Sequence, residues 1–216
     1  MREDGPASEP VRDEPAPRPV CATHRHFTGR VVSLRTDVVD LGPAGRVDRD
    51  VVEHPGAVGV IAVDAELRVL LVRQYRHPVG CLLWEPPAGL LDIPGEDPLT
   101  AARRELAEEA GYQAAEWAVL VDAFTSPGGS TEAVRIYLAR ELQALPPEDR
   151  HVGVAEEYDM PTRWVPLADA RRAVLSGELH NPLAVMGILA ACALLLDGVA
   201  GGPRPAAAPW LRAVTQ

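Results

Sequence analysis

The sequence predicts an α/β fold, a mixed sheet sandwiched between helices, with a small antiparallel β segment ahead of it. Three observations carry that prediction. Apolar runs of strand length recur at residues 56–63, 67–75, 117–124 and 134–140, separated by turn-forming stretches. Helix signals fall between and after them, at 98–110, 167–175 and 182–196. The chain has 216 residues and 47% apolar content, enough for one sizeable core with an appendage. Hairpin, strand, loop-helix, strands and helices in that order fit a sheet covered by helices on both faces.

Taken in order, residues 1–20 are rich in Pro, Glu, Asp and Arg and predict a disordered tail. Residues 21–55 form the N-terminal β segment, with short β-branched runs at 30–34, 37–41 and 47–52 and a turn at Gly42-Pro43-Ala44-Gly45. Three short strands alone are marginal, so this segment must pack on its own main domain or on a second subunit. Residues 56–200 are the main domain. The run at 56–63 turns at Asp64-Ala65-Glu66 and returns as 67–75; residues 81–85 then lead into a Pro/Gly-rich loop, 86–98. Strands follow at 117–124 and 134–140, a loop at 146–157, and a last strand at Arg163-Trp164-Val165. Helix 182–196 takes Asn181 as N-cap and has Gly198 beyond its end. Residues 201–216 predict a loose, Gly/Pro/Ala-rich C-terminal tail.

The chemistry concentrates in the loop and helix of 85–112. Asp97 suits the N-cap, Pro98 the first helical position and Gly111 the C-terminal stop. Leu99, Ala102, Leu106 and Ala110 recur at helical spacing and predict a buried stripe. Another face carries Glu105, Glu108 and Glu109. Like charges at i,i+4 repel, and anionic side chains in the last turns oppose the helix dipole. Such a cluster is either a solvated helix end or a functional site that accepts local cost. Hard divalent cations take oxygen ligands, and Mg2+ bridges carboxylates and substrate phosphates.

Arg104-Glu105-Leu106-Ala107-Glu108-Glu109-Ala110-Gly111-Tyr112 resembles the second half of the Nudix box, and Gly89 and Glu96 match its first half. Seven residues lie between Glu96 and Arg104, as the family pattern asks; six separate Gly89 from Glu96, where the pattern has five. The extra residue falls in the loop and leaves the carboxylate spacing untouched. The resemblance implies the Nudix α/β/α sandwich and attack of water on a diphosphate linked to another moiety. Pro127, sixteen residues past Gly111, and the stretches 49–58 and 72–78 resemble the ADP-ribose pyrophosphatases of actinobacterial type. That similarity covers residues 24–197. It implies hydrolysis of ADP-ribose to AMP and ribose 5-phosphate, with another nucleoside diphosphate-sugar or dinucleotide as the alternative substrate. A non-catalytic, nucleotide-binding regulator is the second functional class, which the intact carboxylate set disfavours.

The resemblance also implies roles. Glu105 and Glu109 are expected as metal ligands, with Glu108 close by and the Ala88 carbonyl completing the site for Mg2+, Mn2+ or another divalent ion. Arg104 is expected to orient a box carboxylate, with Glu96 the candidate. Arg76 and Glu85 are expected substrate contacts, Ser130 a phosphate or ribose donor, and Phe27 an adenine-stacking ring. The alternatives are a surface arginine on a hairpin for Arg76 and a plain turn residue for Ser130. Trp84, Trp117 and Trp164 are expected to pack the core. The general base is expected in the acidic loop 146–160 at Glu157, which would also serve as a metal ligand, or at Glu156. The family exchanges its N-terminal segment between subunits, which implies a homodimer.

Charge and cysteine usage bound the rest. Net charge is −10 with no basic run, which disfavours nucleic-acid binding. Cys21, Cys81 and Cys192 make neither a zinc spacing nor a disulfide framework, as in a reducing, cytoplasmic setting. No signal peptide is evident, and the apolar run at 182–196 is too short for a comfortable membrane span.

Overall fold

A computed structural model of the chain describes residues 11–149, 160–199 and 201–211. Its strands form three sheets. The first is an antiparallel meander of β1 (Val20–Thr28), β2 (Ser33–Asp40) and β3 (Arg46–Glu53). The second has the order β10-β5-β6, from Thr162–Pro166, Arg68–Arg76 and Cys81–Glu85. The third has the order β11-β8-β9-β4-β7, from Arg204–Pro205, Tyr112–Phe124, Ala133–Ala144, Ala57–Ala62 and Ala88–Leu90. Strands β4 and β9 run parallel while their other neighbours are antiparallel, so the central sheet is mixed.

Helices cover both faces of that sheet. Strand β4 is buried along its whole length, which explains its near-continuous apolar sequence. On one face Ile61, Ile136 and Leu138 pack with Ile188 and Ala191 of α3 (Pro182–Leu195) and with Leu167 and Ala170 of α2 (Leu167–Leu175). On the other face Val58, Val60, Val119 and Tyr137 pack with Ala101, Ala102 and Leu106 of α1 (Pro98–Ala110). Trp84 packs against the first core, and Trp117 and Trp164 against the second. Asn181 caps α3 through Oδ1, which accepts from Ala184 N–H at 3.0 Å. Among the described residues no helix is long and apolar enough to cross a membrane.

The N-terminal segment departs from its sequence reading. The runs at 30–34 and 37–41 contribute to one strand, β2, and an unpredicted strand, β1, begins at Val20. Residues 21–28 lack alternation because almost all of β1 is exposed. Ion pairs hold this sheet in place of a core: Glu53 accepts from Arg25 at 2.6 Å and also pairs with Arg35, whose Nε reaches Asp37 at 2.9 Å. The Arg25 and Arg35 guanidiniums hold the Glu53 carboxyl below its ordinary range. The sheet joins the main domain through β3, where Val52 N–H donates to the Gly129 carbonyl and Val52 O accepts from Thr131 N–H.

Residues 201–211 of the C-terminal stretch are not loose. Arg204–Pro205 pairs with β8, and Ala206 and Ala208 pack against the α1-side core. Arg135, buried in β9, donates to both Asp122 oxygens at 2.7 and 2.9 Å and to the carbonyls of Ala208 and Pro209 at 2.8 and 3.1 Å. Its guanidinium carbon lies 4.8 Å from the Trp210 ring centroid. A single arginine inside the strand Val134–Leu138 was a legible signal, since a buried charge requires a bonded partner.

Candidate active site

Local chemistry sets the helix that carries the carboxylates. Asp97 accepts from the N–H groups of Leu99 and Thr100 at 3.0 and 3.2 Å, Pro98 needs no donor partner, and Gly111 closes the helix at φ +69°. With Ala101, Ala102 and Leu106 turned into the core, Arg104, Glu105, Glu108 and Glu109 are left along the side that faces β7.

Strand β7, unpredicted within the Pro/Gly loop, supplies the opposite wall. Val60 N–H donates to the Pro87 carbonyl and Leu91 N–H to the Gly56 carbonyl, at 2.8 and 3.0 Å. Alternate residues of β7 therefore face β4, and Ala88 faces away from it. The outward Ala88 N–H donates to Glu109 Oε2 at 2.9 Å, and the Ala88 carbonyl shares that side. Gly89 is required by close approach: a Cβ there would fall 1.9 Å from Glu105 Oε1. The glycine and the carboxylate of the motif thus occupy adjoining space.

Arg104 ties the cluster together. Its Nε and Nη2 bond the two oxygens of Glu96, both at 3.0 Å, and its Nη1 bonds Glu105 at 2.7 Å and Glu108 at 3.1 Å. The Arg104 hydrogen bonds hold the Glu96 carboxyl below its ordinary range, and Glu96 in turn raises Arg104. The side chain of Glu96 is 9% exposed and that of Glu105 12%, whereas that of Glu108 is 39% exposed. Among the described residues no three His, Cys, Asp or Glu side chains converge as a closed metal cage. The guanidinium stands between the carboxylates and takes the oxygens that a cation would otherwise draw together.

The other expected site residues fall in three places. Arg76 and Glu85 bond each other: Arg76 Nε reaches Glu85 Oε1 at 2.9 Å and Nη2 reaches Oε2 at 2.6 Å. Glu85 is 1% exposed and stands three residues before Ala88, which links this pair to β7. Ser130 lies in the loop bonded to β3, and its hydroxyl accepts from Glu132 N–H at 3.1 Å. Phe27 is 56% exposed on β1, with its ring edge against Gly29. Glu156 and Glu157 lie outside the described residues.

The NUDIX domain family matches residues 53–183. The chain belongs to the Nudix family. It is 48% identical over 185 residues to an ADP-ribose pyrophosphatase of Mycobacterium tuberculosis (strain ATCC 25618 / H37Rv), covering 85% of this chain and 86% of that one. It is 38% identical over 160 residues to an ADP-ribose pyrophosphatase of Bacillus subtilis (strain 168), covering 74% and 84%. A methanol dehydrogenase activator of Bacillus methanolicus is 34% identical over 166 residues, covering 77% and 88%. A solved ADP compounds hydrolase superposes with a TM-score of 0.64 at 18% identity, covering 85% of this chain and 97% of the other, and shows the shared fold. This Nudix protein is therefore a hydrolase whose box lies on α1 and β7. The Arg135–Asp122 cluster and the C-terminal strap lie outside the box motif.

Proposed function

We propose that this Nudix hydrolase cleaves the diphosphate of ADP-ribose, giving AMP and ribose 5-phosphate. Water adds to a phosphorus, the bridging P–O bond breaks, and attack at either phosphorus yields the same two products. The observation that carries the reading is the charge balance of the box. One guanidinium answers Glu96, Glu105 and Glu108, with Glu109 held beside them on the Ala88 N–H. The names of the relatives support ADP-ribose as the substrate.

The donor set fits a hard divalent cation, Mg2+ or Mn2+. Glu105, Glu109 and Glu108 supply carboxylate oxygens, and the outward carbonyl of Ala88 supplies a neutral one. A bound divalent ion would polarise the diphosphate and lower the pKa of water. The protein's own share is positioning. Arg104 holds Glu96 and Glu105, and Gly89 leaves the space in which the Glu105 carboxylate sits. Glu85 and Arg76 border the same stretch of chain, where the guanidinium suits a phosphate and the carboxylate sets its direction. Ser130 and Phe27 are proposed to contact the ribose or phosphate and the adenine.

Glu157 is proposed to take the proton from water, because the box carboxylates are committed to the cation; Glu156 is the neighbouring candidate. The N-terminal sheet, exposed along β1, is proposed to pack in a homodimer and complete the partner's substrate pocket. The free cysteines Cys21, Cys81 and Cys192 agree with a cytoplasmic setting.

The test is to incubate the protein with Mg2+ and a panel of nucleoside diphosphate compounds and identify the products. ADP-ribose is expected to give the highest kcat/KM, with AMP and ribose 5-phosphate formed in equal amounts. Glu157→Gln should lower kcat by about 10²–10⁴-fold with little change in KM. A loss below threefold there, with a large loss for Glu156→Gln, would move the role one residue back. A fully active monomer in sedimentation at assay concentration would rule out the dimer.

A further inference from the structure

A cavity lies away from the box. Its volume is about 700 Å³, within the span of small-molecule sites, and it opens between the far end of β8–β9 and the last turn of α3. Leu138, Ala118, Leu194 and Leu195 line it, with Arg140 and Glu116 as its charged members. Leu138 belongs to the core on the α3 face, whereas Gly89 and Glu105 meet on the α1 face. Along β9, Arg140 is five residues beyond Arg135, the strand neighbour of Val58, which itself pairs with Gly89. Five residues of strand span about 17 Å, so the cavity is separated from the carboxylates both by face and along the strand.

Arg140 is the unusual group in it. Its Nε is buried and has no hydrogen-bond partner, and it is the one side-chain nitrogen or oxygen in that condition among the described residues. Glu116 stands directly opposite in the β8–β9 ladder, yet it is exposed and does not accept from Nε. A buried donor without an acceptor costs free energy, the more so when it is charged. Arg140 lines the cavity, so an acceptor bound there is the partner that Nε lacks within the chain.

We propose that this cavity binds a small amphipathic carboxylate. Its hydrocarbon part lies against Leu138, Leu194 and Leu195, and its carboxylate takes the Nε–Nη edge of Arg140 as a two-bond pair. The lining selects an anion with an apolar body. A dianionic phosphate is disfavoured by Glu116 at the rim and by the net charge of −10.

The experiment uses the full chain and octanoate as the probe, followed by calorimetry and amide chemical shifts. Octan-1-ol supplies the same chain without charge, and inorganic phosphate supplies charge without a chain. Octanoate is expected to bind saturably and move the amides around Leu138 and Leu194. Octan-1-ol and phosphate should bind at least about tenfold more weakly, as should octanoate to Arg140→Gln, with turnover of that variant unchanged. Leu194→Trp, which fills the cavity and keeps Arg140, should abolish binding and carries the test if Arg140→Gln fails to fold. No saturable binding, equal binding of octan-1-ol or phosphate, or shifts confined to the α1–β7 carboxylates would overturn the proposal. Octanoate binding that splits an oligomer would also overturn it, since the cavity would then be a subunit contact.

Discussion

Arg104 and Arg135 are both held by carboxylates on the α1 side of the sheet, and they stand in opposite balance. Arg104 answers three carboxylates, Glu96, Glu105 and Glu108, and stays partly exposed. Asp122 alone answers two cations, Arg135 and Arg204, and the surplus positive charge at Arg135 is spread over two backbone carbonyls and the Trp210 face. The strap cluster is thus closed, with every group answered from within the chain. The box gathers four carboxylates, Glu96, Glu105, Glu108 and Glu109, around one guanidinium and one backbone N–H. The two clusters separate holding from the binding proposed above: the strap cluster fixes the chain, and the box is the proposed cation site.

The largest expected effect breaks the closed cluster. Arg135→Met keeps length and removes the charge, leaving two carbonyls without their donor and Asp122 with Arg204 as its remaining cation. Removing one partner of a buried ion pair costs about 3–5 kcal/mol. Denaturant unfolding of the variant should show a loss of that size, with the midpoint shifted and the slope retained. Turnover per folded molecule should stay near that of the parent, because Arg135 touches no box carboxylate. A variant as stable as the parent would show that the strap contributes nothing to the fold.

The box should respond in the opposite manner. Glu109→Gln keeps the acceptor that the Ala88 N–H uses and removes one negative charge from the surplus. Even outer partners of a metal site cost about 10–100-fold when removed, so a direct ligand should cost on the order of 10²-fold or more in kcat/KM. Raising Mg2+ should recover part of the loss. Stability without metal should hold or rise slightly, since like charges along α1 are relieved. Parental turnover at every Mg2+ concentration would remove Glu109 from the metal site.

These two clusters also mark what the sequence made legible. The whole of α1 was readable because its signals are local: the cap Asp97, Pro98, Gly111 and the stripe Leu99, Ala102, Leu106 and Ala110 lie within fifteen residues. The spacing of Glu105, Glu108 and Glu109 is local too, and so their common stretch of helix was legible before the fold. The strap was misread because Gly, Pro and Ala give no periodic signal, and the side chain that holds it is 73 residues away from Ala208. Strand β1 was missed for the same reason. Its residues alternate in neither burial nor polarity, and cross-strand pairing with β2 alone sets its conformation. Strand β7 has only three residues, and edge pairing to β4 defines it.

The smallest effect tests whether a carboxylate on the same helix can be purely structural. Asp97 is acidic like its neighbours in the box, but its charge is answered locally by the Thr100 hydroxyl and by two backbone N–H groups. Those bonds, the Thr100 hydroxyl foremost, hold its carboxyl below the ordinary carboxylate range. Asp97→Ala should therefore cost about 1 kcal/mol at neutral pH, the ordinary worth of an N-cap. The sign of the pH dependence follows from the lowered pKa. The contribution is fully present above the unfolded-state value, and it fades as pH falls through the lower folded-state value. Stability curves of parent and variant should run parallel from pH 7 to about pH 5 and converge as Asp97 protonates in the acid limb. Asp97→Asn, which caps without charge, should retain most of the stability and show no such convergence. If Asp97→Ala instead lowered kcat beyond what its unfolded fraction explains, with the Mg2+ requirement raised, the cap would belong to the positioning of Glu96 and Arg104. The division between holding and binding would then fail at the first turn of α1.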